Sequence, residues 1–560
     1  MLQIVKASAG SGKTHKLTEE YINLLFKNEE NYKHILAITF THKATEEMKS
    51  RIIRKLDEYS RTSSSKEKQE KSRKLLSSIL FDYDMFHIST IDSFFQSIVR
   101  SFVRETGLQH GYGVELESKI VLEEAVDRLI MGLDRDTSSS VLKHMIDFAK
   151  ARAKEGESWN IRKEMHTLAM ELDRENYKLY AEVLQRVVSE EDYLTNYIEI
   201  LKRIINKKKQ TIRSLCNRAI AIIEQTQWGI TSKNDWRNVF YKAKREDIFE
   251  PNKTQQEKLS SPSSWVTRTM KKEEKEKAQE AISLGLDKIA LELLGELSHS
   301  TEYISALLIR KQIYIVGLLS DINEEKNILG KETNSFLLSD TTHFLQLITQ
   351  DSDVPFIYEK TGVHIDHYML DEFQDTSLMQ WNSLSPLIHD CLDQSNECLI
   401  VGDVKQSIYR WRNSDSSLMG EKIAKEFSGY KMSTPSLKEN YRSGANIVEF
   451  NNTFFEGIAN KLREEIKNTY PSFQGKFLTS SYGEDDLKQQ SASKDKGGYV
   501  GITFLSNKKE EQERTKALEK LKEIIDDLLN RNYPYSDIVI LIRNKAEAEI
   551  IIDYFSHVEG

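Results

Sequence analysis

The sequence predicts an α/β fold: a parallel sheet flanked by helices, with a large all-helical insertion and the start of a second α/β domain. Short apolar strands alternate with helical periodicity in residues 1–105 and again in 336–434, the pattern of a parallel sheet covered by helices. Residues 106–335 carry scarcely any strand signal, because Leu, Ile, Lys and Glu recur there at helical spacing with little Pro or Gly. Residues 435–560 return to the α/β pattern.

The individual elements follow from the apolar runs. Strands of the first domain are expected at residues 2–5, 34–40, 86–90, 367–370 and 398–401. In the last segment strands are expected at 499–504 and 538–542, around a helix at 514–530. Polar stretches at 61–73, 253–264 and 483–498 are expected to be loops.

Composition indicates a protein of a reducing compartment. The chain of 560 residues is too long for one core, and its three cysteines, Cys216, Cys391 and Cys398, give neither a disulfide framework nor paired zinc-ligand spacing. With no long apolar run and no secretory signal, a cytoplasmic protein without membrane contact is expected.

The formal net charge of −8 gives no global attraction to nucleic acid, so any DNA path must be local. Two basic runs of the helical segment, 207–209 and 268–277, are candidates for such a path. For 268–277, the alternation with Glu favours a solvated helix face instead.

A phosphate-binding loop is predicted directly after the first strand. Gly10 and Gly12 let the backbone curl so that its N–H groups converge on a polyphosphate, Lys13 supplies a cation, and Thr14 offers a hydroxyl to Mg²⁺. Ala7 stands where the usual Gly-x-x-x-x-Gly-Lys-[Ser/Thr] pattern has its first Gly, so the run taken alone is also compatible with an ordinary Gly/Ser turn. The predicted nucleotide-binding residues are Ala9, Gly10, Ser11, Gly12, Lys13 and Thr14, with ATP and Mg²⁺ as cofactors.

Two adjacent carboxylates, Asp371 and Glu372, follow the strand at 367–370. In P-loop enzymes, one acid at a strand tip holds Mg²⁺ and the next takes a proton from the attacking water. An isolated pair of this kind is more often an exposed acidic turn. Together with the phosphate loop, it favours a site of nucleotide hydrolysis.

The strand at 398–401 is followed by residues suited to two ligands. Gln406 is placed to sense a γ-phosphate, whereas Tyr409 and Trp411, interleaved with arginines, offer base stacking and attraction to a nucleic-acid backbone. The alternative is that the two aromatic residues belong to the core, which their two-residue spacing on a strand would permit.

Six motifs occur along the chain in the order Ala7–Thr14, Ile38–Met48, Ser89–Phe94, Asp371–Asp375, Val401–Arg412 and Asn440–Ser443. Their order and their residues resemble those of the superfamily 1 UvrD/Rep-type DNA helicases. Within that group, the amino-acid sequences of the phosphate loop and of the run after the strand at 398–401 are most similar to the RecB/AddA branch of helicase-nucleases.

The resemblance implies a RecA-like first domain formed by residues 1–105 and 336–434, a helical insertion at 106–335, and an incomplete second RecA-like domain at 435–560. It also implies roles at the matched positions. Asp371 and Thr14 hold Mg²⁺, and Tyr441 stacks on adenine. The catalytic residues are Glu372 at the lytic water, Gln406 at the γ-phosphate and Arg442 at the transferring phosphoryl group. The positions expected to face single-stranded DNA are Phe40, Thr41, Tyr409, Trp411 and Arg412. Asp92 departs from the pattern, because relatives often have His there.

The function implied is an ATP-dependent 3′-to-5′ DNA helicase or translocase of repair or recombination, acting on single-stranded DNA or a duplex end with a 3′ strand. A nuclease or helicase partner subunit fits the same resemblance. Because complete motors of this group carry further motifs, the chain is expected to be a fragment that binds ATP but hydrolyses it weakly alone. A DNA-independent P-loop ATPase that switches a protein complex is the alternative; a non-hydrolysing DNA-binding scaffold is disfavoured by the intact Lys13, Asp371 and Glu372.

Overall fold

A computed structural model gives the structure of two compact units within the chain. One unit comprises residues 1–7 and 13–436, and the other comprises residues 8–12 and 437–560. The structure describes residues 1–102, 113–115, 117–132, 142, 145–146, 148–150, 160–189, 193–230, 235–246, 249–266, 270–337, 340–351, 354–470, 478, 481–482, 488–492, 497–505 and 510–558.

The first unit is built on a parallel sheet, which confirms the predicted fold class. The strands as far as the unit boundary are β1 (Leu2–Ala7), β2 (Ile35–Thr39), β3 (Ile88–Thr90), β4 (Gly113–Glu115), β5 (Ser335–Leu337), β6 (His367–Leu370), β7 (Cys398–Gly402), β8 (Met432–Ser433) and β9 (Ser436–Leu437). The sheet has the order β3-β2-β6-β7-β1-β8, and its adjacent strands are parallel. The carboxyl ends of β1, β2, β3, β6 and β7 therefore lie along one edge, where ligands of open α/β sheets bind.

The first unit also contains helices along its whole length, some packed on the sheet and others in the helical segment. In chain order they are α1 (Lys13–Lys27), α2 (His42–Thr62), α3 (Lys66–Phe81), α4 (Ile91–Ser101), α5 (Ser118–Met131), α6 (Ile161–Ala169), α7 (Glu175–Ser189), α8 (Tyr193–Gln225), α9 (Asn238–Arg245), α10 (Lys253–Ser260), α11 (Lys272–Ser283), α12 (Leu286–Ser298), α13 (Thr301–Val316), α14 (Leu319–Glu332), α15 (Thr341–Asp351), α16 (Val354–Thr361), α17 (Leu378–Asp393) and α18 (Ile423–Glu426). Across the described residues, no helix has the length and apolar character needed to cross a bilayer.

The central strands are buried on both faces. Every residue of β2, β6 and β7 is buried, as expected of parallel strands between two helical layers, whose sequences are continuous apolar runs. Phe95 of α4 and Trp381 of α17 join Leu370 and Ile400 in the same apolar core. This packing fixes the positions of the loops that follow the strands.

The helical segment has apolar cores of its own, separate from that of the sheet. One is formed around Trp228, Phe240 and Trp265. The sequence did not predict the strands at either end of this segment, where β4 pairs in parallel with β5. Each has only three residues, which is too short a run for an apolar pattern to reveal.

Two of the predicted loops are mostly helical. Residues 61–73 contain the end of α2 and the start of α3, and residues 253–264 contain α10. The helices begin where side chains cap them: the Ser65 hydroxyl accepts from the N–H of Lys68, and Asn252 and Gln255 form a capping box. A favourable cap outweighs the polar composition of these stretches.

The second unit contains β10 (Glu439–Asn440), β11 (Gln490–Ser491), α19 (Ala445–Thr469), α20 (Glu510–Asn530) and α21 (Lys545–Val558). The predicted helix at 514–530 lies within α20. The strands predicted at 499–504 and 538–542 do not form, because neither stretch pairs with another strand among the described residues. Their apolar side chains are exposed, with Phe504 at 92% and Leu541 at 91%.

Candidate nucleotide-binding site and nucleic-acid face

The phosphate loop has the backbone shape that the sequence predicts. Gly10 and Gly12 adopt positive φ angles of 76° and 83°, which glycine reaches without the steric cost of a Cβ atom. The N–H and the hydroxyl of Ser11 both donate to the carbonyl of Ser8, at 3.2 and 2.7 Å. In the first unit α1 begins at Lys13, and the amino end of a helix is a favourable position for an anion.

The side chain of Lys13 lies between two polar residues at the carboxyl ends of β6 and β7. Its Nζ is 2.7 Å from Glu372 Oε2 and 3.5 Å from Gln406 Oε1. The Lys13 side chain is 10% exposed and that of Glu372 is 34% exposed. The structure therefore brings together three of the predicted site residues, although Lys13 is 359 positions from Glu372 and 393 from Gln406 in the sequence.

The two carboxylates after β6 differ in environment. Asp371 continues the pairing with β2 by donating its N–H to the Ile38 carbonyl, and burial, together with the neighbouring Glu372 charge, raises the pKa of Asp371 to about 6. Glu372 has a left-handed backbone with φ of 48°, an uncommon conformation for a residue with a side chain. The turn separates the two carboxyl groups and directs Glu372 toward Lys13.

This donor set is suited to a nucleotide with Mg²⁺. A lysine paired with a carboxylate can exchange that partner for a phosphate, and a carboxyl group with a hydroxyl such as that of Thr14 provides the oxygen ligands that Mg²⁺ prefers. In the described part of the chain, no three His, Cys, Asp or Glu side chains form a metal cage.

Two residues in this site were missed by sequence reasoning. The Gln374 amide donates to Glu372 Oε2 at 2.7 Å and accepts from the N–H of Asp403 at 2.8 Å. Asp403 Oδ2 in turn accepts from Gln406 Nε2 at 2.7 Å. Gln374, which is 1% exposed, therefore connects the loops after β6 and β7. Its place within the Asp371–Asp375 motif was the available signal.

The second unit holds the predicted Tyr441 and Arg442. The turn carrying them follows β10, and the N–H of Tyr441 donates to the Gly10 carbonyl at 2.9 Å. The Tyr441 ring is 69% exposed, and its hydroxyl donates to Glu439. Because the ring is exposed, its face is available for stacking.

Four of the five residues predicted to face DNA form one cluster. The rings of Phe40 and Tyr409 lie 4.5 Å apart, and those of Tyr409 and Trp411 lie 6.0 Å apart. The Arg412 guanidinium is 5.1 Å from the Trp411 ring. Trp411 is 73% exposed, so the alternative that it belongs to the core is wrong.

Thr41 directly follows Phe40 of this aromatic cluster in the sequence, and Asp92 lies close enough to Arg412 for their charges to interact. The Thr41 hydroxyl caps α2 by accepting from the N–H of Ala44 at 3.1 Å, so its side chain has a structural role. Burial raises the pKa of Asp92, against the opposing charges of Arg412 and His42. The Asp92 carboxyl group therefore lies near the Arg412 guanidinium of the cluster.

The sequence models of two families match the chain. The UvrD/REP helicase N-terminal domain matches residues 2–428, and the UvrD-like helicase C-terminal domain matches residues 436–559. Both matches agree with the order of motifs found along the sequence.

Curated relatives come from the expected branch. An ATP-dependent helicase/nuclease subunit from Streptococcus suis is 24% identical over 497 residues, which is 83% of this chain and 38% of that protein. Its counterpart of the same name from Staphylococcus aureus is 23% identical over 592 aligned positions, 99% of this chain and 46% of that protein. The chain thus spans less than half the length of these relatives. By its motifs, its parallel sheet and these matches, the chain belongs to the UvrD/REP helicase family.

Proposed function

We propose that this chain is the motor part of an ATP-dependent DNA helicase or translocase of repair or recombination, acting on single-stranded DNA with 3′-to-5′ polarity. The proposed substrate is single-stranded DNA or a duplex end with a 3′ strand. We further propose that the motor works with a nuclease, as the names of its helicase/nuclease relatives suggest.

The main support for the proposal is that the segment after β7 contains both a residue close to Lys13 and the exposed aromatic residues. Gln406 lies within reach of Lys13, and three residues later Tyr409 begins the exposed aromatic cluster with Trp411. One short segment, built of two 3₁₀ turns at Val404–Gln406 and Arg410–Arg412, thereby joins a phosphate-sensing group to a stacking surface. Through such a connection, a change in the bound nucleotide alters the affinity for DNA.

The residues have distinct roles in the proposed cycle. Lys13 and the loop N–H groups hold the phosphates, and Glu372 orients the lytic water and accepts its proton. Gln406 contacts the γ-phosphate, and Arg442 stabilises charge on the transferring group. Asp371 and Thr14 would hold Mg²⁺, which would supply positive charge to neutralise the phosphates.

Phosphate release measured with and without single-stranded oligothymidylate tests the proposal. We expect the DNA to increase the rate, however low the basal rate is, and Glu372→Gln to abolish the increase. A rate that does not respond, in a chain that also fails to bind the oligonucleotide, would instead support an ATPase that switches a protein complex. Polarity is tested separately: a 3′-to-5′ motor displaces streptavidin from a 5′-biotin and not from a 3′-biotin.

A further inference from the structure

The side chain of Asn440, at the end of β10, connects two segments of the second unit. Its Oδ1 accepts from the N–H groups of Arg442 and Ser443, at 2.9 and 2.8 Å, and so fixes the turn that carries Arg442. Its Nδ2 donates to the Ala9 carbonyl of the phosphate loop at 3.0 Å. Asn440 is only 5% exposed, and a buried amide with all these bonds made is a rigid connector.

Gln489, which no motif of the sequence contains, completes the connection. Its Nε2 donates to the same Ala9 carbonyl at 2.6 Å, and its Oε1 accepts from Asn440 Nδ2 at 2.9 Å. The backbone of Gln489 is itself held by Asn452 of α19, which accepts from its N–H at 3.2 Å and donates to its carbonyl at 2.8 Å. Two amides therefore occupy both lone pairs of one carbonyl in the phosphate loop.

Gly10 permits the close approach of the two segments. A Cβ atom at this position would lie 2.8 Å from the Arg442 Cβ and 2.9 Å from Asn440 Oδ1. With the hydrogen bond from the Tyr441 N–H to the Gly10 carbonyl, the loop and the turn contact each other at consecutive residues. The spacing between the phosphate loop and Arg442 is thus fixed by backbone contact and by the amide pair.

We propose that Gln489 and Asn440 are positioning residues that hold the phosphate loop in register with the turn of Arg442. A bond to the Ala9 carbonyl keeps this oxygen directed away from a bound phosphate and leaves the loop N–H groups directed toward it. Because the amide pair connects the loop to the Arg442 turn, it favours the arrangement in which both engage one triphosphate. The inference rests on the proposed role of Arg442 at the γ-phosphate.

Variants of the two amides test this role. Gln489→Leu removes both of its side-chain bonds. Asn440→Asp keeps the acceptor for the N–H groups of Arg442 and Ser443 but replaces the donor to Ala9 with an oxygen. The matched control is Gln490→Leu, because Gln490 is the next residue and its side chain is exposed. For each variant of the full chain, MgATP and MgADP affinities and the melting temperature are measured.

We expect Gln489→Leu and Asn440→Asp each to weaken MgATP binding by up to about tenfold, the size of effect that follows the loss of one hydrogen bond. MgADP, which lacks the γ-phosphate, should be affected much less. The melting temperature of Gln489→Leu should stay close to that of Gln490→Leu, whereas the buried carboxylate of Asn440→Asp should lower it. Equal losses for ATP and ADP together with a lower melting temperature would overturn the proposal, as would binding like that of the control. If the unaltered chain bound no MgATP, the proposed function itself would fail, and the inference with it.

Discussion

The Nζ of Lys13 lies 2.7 Å from Glu372 Oε2, so the residue that begins α1 is paired with the residue proposed as the catalytic base. This pairing keeps both charges satisfied in a partly buried position, where an unpaired charge would be costly. A triphosphate competes for Lys13, and its binding would release Glu372 toward the lytic water. The ion pair thus provides a simple reason why the base is held in place before the nucleotide arrives.

Glu372→Gln should separate binding from turnover. The amide retains an oxygen that accepts from Lys13, so MgATP affinity should stay within about threefold, but it cannot take a proton, so turnover should fall about 10²-fold or more. Nucleotide titration and phosphate release measure the two effects. The comparison variant, Asp371→Asn, should instead raise the Mg²⁺ concentration needed for binding. Identical defects in both variants would contradict the division of roles between the two carboxylates.

MgATP binding should weaken as the pH falls below about 6. Burial raises the pKa of Asp371 from 3.8 to about 6, and only the ionised carboxylate is a good Mg²⁺ ligand. Because the pKa is raised on folding, this group makes the folded state less stable as pH rises from about 4 to about 6, and bound Mg²⁺ would offset that cost. Titrations between pH 5 and pH 8 measure the effect.

The pH titration also needs a control for Asp375, because burial and the Glu372 charge raise the pKa of Asp375 to about 6 as well. Asp371→Asn removes one titrating group and leaves the other. We expect the variant to lose most of the pH dependence. If the variant kept the full dependence, Asp375 and not Asp371 would be the responsible group.

Trp411→Ala should weaken binding to single-stranded DNA by ~1–3 kcal/mol with little dependence on base sequence, because every base offers a π face. Since Trp411 is 73% exposed, the melting temperature should hardly change. Trp381→Ala is the matched control: Trp381 is 2% exposed and donates to Glu426, so its loss should cost ~3–5 kcal/mol of stability. Fluorescence anisotropy and thermal melting distinguish the two, and unchanged DNA affinity in Trp411→Ala would remove this residue from the DNA path.

The sheet was the most predictable part of the molecule. The strand at 367–370 has the predicted bounds, and the strand at 398–401 is longer by one residue, because an uninterrupted apolar run between polar turns has few other solutions. The helices in residues 61–73 and 253–264 were missed, since their caps depend on single side chains in otherwise polar stretches.

Many contacts between side chains could not be predicted from the sequence. The Sγ atoms of Cys391 and Cys398 lie 3.0 Å apart, although their spacing indicated no pairing. The bonds of Gln374 with Glu372 and Asp403, and those of Gln489 with Ala9 and Asn440, likewise depend on how separate segments pack. Motifs predicted the residue types at the site, whereas only the tertiary structure gives the network of amides around them.

The central claim is that Lys13 and its loop bind the phosphates of ATP, and an MgATP titration of the chain and its Lys13→Ala variant tests it most directly. We expect the unaltered chain to bind MgATP and the variant to lose at least about 10²-fold in affinity, because backbone amides alone cannot replace a cation beside three phosphates. Lys16→Ala is the matched control, since Lys16 also lies on α1 but pairs with Glu20, and it should bind like the parent. Equal affinity of Lys13→Ala and the parent would mean that the run after β1 is an ordinary turn, and would contradict the account.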